Sequence, residues 1–498
     1  MYNIKIGKPL LFAALALLTA CHKKDKGSST PTNTTLSLAD RTKDTLYYIF
    51  KDEYLWTDAI PDYNTFKPHS IDSLEPELDA LMSYKRDSLD PTKAKDHYSF
   101  LDDGSVSEAL DQGRAGDFGF NIGFYNYDDI RSTYVYPGSP AGLAGVKRGW
   151  KLTAVNGDTS LYYDLNETTG HGTNYDRLVD AFYYSSQTAF TFLKPDNSSV
   201  TVNLTTTTYD INPLLYSNIF NFNGHKIGYF VFNSFLSLDI VKSRLDSLFG
   251  AFASAGVTDV IADIRYNGGG AVETSEYLAN LLAPASVGTN TKLMYTEYFN
   301  SALINKQYNA YTKVMRIENG QYKLTDEYDY LVENNIAKWA KAGTLSPNNV
   351  VFIATGQTAS ASELLINNLK PVLPAWHQVG TYTYGKPVGF IGITIGGKDM
   401  YAISFSIKNS QNVGDYYYGL SPDGGTETYE DAREDFGDTQ EVYLHQALNI
   451  LGITDAQLGS RLRGHDFNPY LRPSVNQDFS LRAFKGMVLK LPHQGLHK

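Results

Sequence analysis

The sequence predicts an α/β protein in three parts: a small helical domain, a β-rich domain, and a larger core built on a mostly parallel sheet. Three observations lead there. From Ile227 onward, apolar β-branched runs alternate with stretches of helical periodicity, an order that favours parallel strands joined by helical crossovers. Residues 107–207 instead show glycine alternating with apolar residues, as in Phe118-Gly119-Phe120-Asn121-Ile122-Gly123-Phe124, and an Asn156-Gly157 turn signal, the pattern of short strands and hairpins. Residues 37–105 carry a helical period and few strand signals.

The chain has 498 residues, 42% of them hydrophobic and 19% charged, enough to bury two or three cores. The formal net charge of −11 argues against nucleic acid as a partner. Residues 1–20 stand apart from the fold. Lys5 and Lys8 precede the apolar run Leu10 to Leu18, which is shorter than the roughly 20 residues that span a bilayer. The run closes on Leu18-Thr19-Ala20-Cys21, and Cys21 is the single cysteine, so neither an internal disulfide nor a cysteine zinc cluster is available. Small residues before a cysteine at this place resemble the lipobox of bacterial lipoproteins, which implies lipidation of Cys21 and a membrane anchor. A secretory signal with an incidental cysteine is the alternative. Residues 21–36 are polar and read as a flexible tether.

In the helical part, Leu46, Ile49 and Phe50 share one face of a helix from Leu38 to Leu55, with Asp40, Lys43 and Asp44 opposite. A second helix fits Ser73 to Tyr84, and Asp96-His97-Tyr98-Ser99-Phe100-Leu101 follows, with His97 read as structural. In the core, a strand Ile227–Phe232 precedes a helix carrying Val241, Leu245, Leu248, Phe249 and Phe252, which stops at Gly256. A strand from Val257 to Ile264 then delivers Gly268-Gly269-Gly270, and a helix runs from Val272 to Leu282. The stretch 283–348 reads as an insertion near the site. Tyr401, Ile403, Phe405 and Ile407 alternate with Ala402, Ser404, Ser406 and Lys408 as a half-buried strand, and Asp438 with Glu441 forms a capping-box pattern for a last helix. Residues 456–498 carry no motif.

The chemistry gathers around Ser360. Val350 to Thr355 reads as a buried strand and Glu363 to Leu369 as a helix, so Ser360 sits on a strand-to-helix turn, where free N–H groups and the positive end of the helix dipole converge. Lys386 follows 26 residues later, in Tyr384-Gly385-Lys386-Pro387, after room for one helix and one return strand. A serine, a lysine and a glycine turn with bare N–H groups are the parts of a Ser–Lys hydrolase. The three glycines do not form a nucleotide loop, because no G-x-x-x-x-G-K-[ST] is present.

Together, Thr358-Ala359-Ser360-Ala361-Ser362-Glu363, Gly385-Lys386 and Asp263-Ile264-Arg265-Tyr266-Asn267-Gly268-Gly269-Gly270 resemble the C-terminal processing (tail-specific) peptidases of family S41. The likeness covers roughly Ser37 to Leu451. It implies a crotonase/ClpP-like core over 208–455, a PDZ-like domain over 107–207 and an N-terminal helical domain over 37–105. A PDZ-like domain is expected to bind a peptide's C-terminal end by strand addition, with the carboxylate in a backbone nest at Phe118, Gly119 and Phe120 and with Ile122 lining the pocket; a mere spacer is the alternative. The resemblance further implies polypeptide substrates and a Gram-negative cell envelope location; nothing in the sequence calls for a metal or organic cofactor.

In this reading Ser360 attacks a peptide carbonyl, Lys386 takes and returns its proton, and the amides of Gly269 (or Gly268) and Ala361 hold the oxyanion. The lysine must be neutral, so its ammonium needs burial to lose its usual pKa of about 10.4; Tyr384 and Phe390 are candidate apolar cover. The sequence departs from many bacterial members at Phe390, where they place a glutamine that orients the lysine. A Ser–His arrangement would draw on His377 or His445. A binding protein that keeps the fold without activity is the competing function, against which the intact Ser360, Lys386 and glycine turn speak.

Overall fold

The computed structural model describes residues 36–166, 171–308, 315–318, 321–324, 328–459 and 486–488. The expected leader, Cys21, nearly all of the tether and most of 456–498 lie outside the described residues.

Helix α1 (Leu38–Glu53) starts at Ser37, whose hydroxyl accepts the Asp40 amide at 3.0 Å, one of the donors a helix start leaves unpaired. Leu46, Ile49 and Phe50 face inward as expected. Lys43 does not face water: it is buried, with Nζ donating to the Ile71 carbonyl at 2.9 Å. After α2 (Leu74–Met82) comes β1 (Phe100–Asp102).

The β-rich domain contains β2 (Phe120–Asn126), β3 (Asp129–Val135), β4 (Lys151–Val155), α3 (Thr173–Val179), β5 (Gln187–Leu193) and β6 (Ser199–Thr205). Its strands pair antiparallel in sequence order, so β2 is an edge. Phe118, Phe120, Ile122, Phe190 and Phe192 fill a core of its own.

The larger core begins with β7 (Leu214–Phe222), β8 (His225–Phe232) and α4 (Leu238–Ala255). Next are β9 (Asp259–Asp263), β10 (Gly269–Ala271) and α5 (Val272–Leu282). Then follow β11 (Thr289–Phe299), β12 (Ile336–Ala340), β13 (Asn349–Ala354), α6 (Ala361–Leu369) and β14 (Ala375–Gly380). The last elements are β15 (Val388–Ile395), β16 (Lys398–Asn409), α7 (Val442–Ile450) and β17 (Gly486–Val488).

One sheet has the order β14-β13-β9-β8-β7, parallel except for β7. Its central strands are apolar on both faces because both are covered. Phe230 and Phe232 join the cluster that holds Leu245, Leu278 and Leu365 of the helices, while Tyr229 and Val231 point the other way, toward Tyr443 and Leu444 of α7. The second sheet has the order β10-β17-β15-β16-β11-β12, with β1 paired to β16.

Three expectations are corrected. Residues 283–348 are not simply an insertion, since β11 and β12 belong to the second sheet. β16 is buried on both faces, Ala402 and Ser404 included, because α1 covers its far side and the Ser404 hydroxyl donates to Glu53. The N-cap of α7 is Glu441, which accepts the Leu444 amide at 3.0 Å; Asp438 only caps the preceding turn through Gln440.

Candidate active site

Ser360 lies between β13 and α6 as the sequence predicts, with φ 61° and ψ −109°. A non-glycine residue at positive φ is strained and persists only where its surroundings dictate it. Here the cause is Glu363, one turn along. Its carboxylate is fully buried, and Oε2 accepts the Ser360 amide and the Lys386 amide, each at 2.8 Å. Oε1 accepts the Gly385 amide at 2.8 Å and the Thr383 hydroxyl. One carboxylate oxygen therefore clamps the backbones of serine and lysine together. Burial raises the Glu363 pKa, against the opposing effect of these four donors. The Ser360 hydroxyl is buried and has no hydrogen-bond partner among the described residues.

Lys386 is fully buried. Its Nζ stands 3.3 Å from the Phe390 ring centroid and 5.5 Å from that of Tyr98, and the Tyr98 hydroxyl donates to the Gly385 carbonyl at 2.7 Å. Burial drives the lysine pKa well below its ordinary value, with the charges of Asp96 and Glu363 opposing in part. A lysine poised to lose its proton is what a general base requires.

The glycine turn is tied to the serine turn. The Asn267 carbonyl accepts the Ala359 amide at 3.0 Å and the Ser362 hydroxyl at 2.9 Å, and Thr358 Oγ1 donates to the Ile264 carbonyl at 2.9 Å. Behind it, the buried Arg265 pairs with Asp263, Glu430 and Glu441 at 2.6 to 2.9 Å. The Gly269 amide, expected to face an oxyanion, instead donates to Asn267 Oδ1 at 2.9 Å. Ala361 opens α6, so its amide has no acceptor within the helix, and Gly268 is the other candidate donor.

Neither histidine considered from the sequence belongs here. His377 lies on the edge strand β14 opposite Val351 and pairs with Asp423 at 2.6 Å; His445 is held between the Thr439 carbonyl and Asp455. The histidine that approaches is His97, its ring 6.1 Å from Tyr384. Burial lowers its pKa; the Asp96 charge opposes that and the Lys386 charge adds to it.

In the β-rich domain a cavity of about 150 Å³ opens between the start of β2 and the segment after α3, lined by Asp117, Phe118, Phe120, Asn121, Tyr134 and Phe182. Ile122, expected in this lining, is not among the residues lining the cavity and packs in the domain core. The Gly119 amide of the expected nest is taken by Asp117 Oδ1 at 2.7 Å. The sequence reading also missed Glu363 and Tyr98 as site residues, although both lie inside runs it singled out.

A serine on a strand-to-helix turn, a buried lysine and an adjoining glycine turn meet at one place in the core. Residues 226–423 match the family model described as peptidase family S41, which supports a serine-type peptidase. Among solved structures, the chain is similar to a Bacteroides fragilis protein assigned to the S41 proteases, at 24% identity and a TM-score of 0.56, covering 82% of this chain and 97% of that one. It is also similar to the photosystem II D1 C-terminal processing protease, at 18% identity and a TM-score of 0.44, covering 79% and 94%. No curated protein matches.

Proposed function

We propose that the chain is an endopeptidase with a Ser360–Lys386 dyad, acting on exported or unfolded polypeptides and tethered to a bacterial envelope through lipidated Cys21. The observation that carries this reading is the Glu363 clamp, which holds a nucleophile turn against a lysine stripped of solvent. Ser360 Oγ attacks the scissile carbonyl and passes its proton to neutral Lys386, forming the acyl–enzyme as the same proton goes to the leaving amine. Water then releases the acyl group with the lysine again as base. The amides of Gly268 and Ala361 hold the oxyanion, each worth about 3 kcal/mol of barrier. The β-rich domain captures extended peptide at the free edge of β2, in the manner of a PDZ domain, with an apolar side chain in the Phe118–Phe120–Phe182 cavity.

The test is cleavage of an unfolded protein by wild type, Ser360→Ala and Lys386→Ala. Both variants are expected to lose activity by about 10³-fold or more, with melting temperatures near wild type. Undiminished cleavage by Ser360→Ala removes it as nucleophile.

A further inference from the structure

Residues 456–498 carry no sequence motif, yet three of them sit inside the site. β17 lies between β10 and β15 and runs parallel to both. Gly486, Met487 and Val488 pair with Gly269, Gly270 and Ala271 on one side, and Val488 pairs with Phe390 on the other. One wall of this slot is therefore the glycine turn, and the other carries the ring that covers Lys386.

Among the described residues, without β17, β10 would keep only its isolated bridge to Phe235, and β15 would keep only β16. Both would present unpaired N–H and C=O groups to a gap one strand wide, an edge that recruits any extended chain. Gly269 and Gly270 stand at φ +112° and +135° and place no side chain over the gap. The Met487 side chain is fully buried, in the same apolar cluster as Val388 and Phe390.

We infer that this gap is the substrate-strand site of the peptidase, taking an extended polypeptide with an unbranched apolar side chain where Met487 sits, and that the chain's own 486–488 segment occupies it here. The inference rests on the Ser–Lys reading for its catalytic meaning and on strand pairing alone for the site. The segment competes with substrate from within the same molecule. A tethered segment acts at an effective concentration of about 1 mM, so a slot affinity of about 100 µM raises the apparent KM about tenfold.

The experiment compares full-length wild type with Met487→Asp, which places a charge in a dry site and expels the strand, and with a chain ending at Gly459 as a second route. On a fluorogenic peptide, both altered chains are expected to gain about tenfold in kcat/KM through KM. A synthetic peptide covering Phe484–Lys490 should inhibit them competitively. Equal kcat/KM in all three active proteins overturns the inference. So does failure of the labelled peptide to bind Ser360→Ala/Met487→Asp in fluorescence anisotropy, a readout that needs no catalysis. Failure of the Ser–Lys reading shows elsewhere, as cleavage that survives Ser360→Ala.

Discussion

Replacing Glu363 with glutamine keeps its shape and removes one acceptor, which makes it the sharpest probe of the clamp. The carboxylate receives four donors, from Ser360, Lys386, Gly385 and Thr383. A glutamine must turn its amide nitrogen toward one pair. The Thr383 hydroxyl can rotate to accept, so the nitrogen settles on that side and the Gly385 amide is left unpaired, at about 1–3 kcal/mol. The bonds from Ser360 and Lys386 survive but lose their charge assistance, which roughly halves them. The sum is roughly 2–4 kcal/mol, spread over the two turns that carry Ser360 and Lys386. A displacement of about 1 Å between reacting groups costs on the order of 10²-fold in rate. Glu363→Gln is therefore expected to lose about 10²-fold in kcat with KM little changed, and to melt a few degrees lower. Steady-state kinetics on a fluorogenic peptide and a thermal melt by circular dichroism measure both. A variant within about twofold of wild-type kcat would show that the clamp does not position the dyad.

Phe390→Gln admits water and a dipole beside Lys386, and burial is the first cause of that lysine's lowered pKa. If Lys386 acts as the proposed base, its neutral amine is the active form, so wild-type kcat/KM should rise with pH through the depressed pKa and the variant's rise should move to higher pH; an unmoved profile between pH 6 and 10 would reject Phe390 as the desolvating group. Asp117→Asn removes the charge that caps the Gly119 amide, so peptides ending in a free carboxylate should bind the β-rich domain more tightly than before, relative to their amidated forms. Isothermal titration that finds the same acid-to-amide ratio in both proteins would contradict this. Glu77 is buried, its two carboxylate oxygens have no hydrogen-bond partner among the described residues, and burial raises its pKa from 4.5 to about 8 against the opposing Lys43 charge. The folded state then binds the extra proton between those values, so the stability tied to Glu77 is present below pH 4.5 and lost as pH rises through 8. Glu77→Gln should flatten that loss in melts taken from pH 5 to 9, and an unchanged pH dependence would refute it.

What the sequence made legible was local chemistry. The strand before Ser360, the helix after it and the helix Val272–Leu282 each follow from short-range periodicity, and the structure places them as read. The Lys386 environment was half legible. Phe390 is four residues away and was named as cover, whereas Tyr98 reaches the lysine across 288 positions, a contact no local pattern encodes. Glu363 reads in sequence as an ordinary acidic residue in the first turn of a helix; its role appears only when the Gly385–Lys386 loop is brought against it. β17 was unreadable for a related reason. Three residues pairing through backbone atoms leave no periodic signature, and the partner strand is over two hundred positions away.

The buried charges explain how the β-rich domain meets the catalytic core. Arg148, which belongs to that domain, donates to Glu430 at 2.6 Å and to the Tyr266 hydroxyl at 2.7 Å, and Tyr266 is part of the run that leads into the glycine turn. Glu430 is shared with Arg265. Burial alone would push its pKa up, but the two guanidinium groups pull it down to about 2. Breaking one buried pair costs about 3–5 kcal/mol because it strands a charge. The β-rich domain is thus held by an ion pair whose other members support the turn beside Ser360, through Arg265 and its bonds to Asp263 and Glu441. A rotation of that domain would have to break the Arg148–Glu430 pair, and the first groups to feel the change would be Tyr266 and Arg265, a few residues before Gly268.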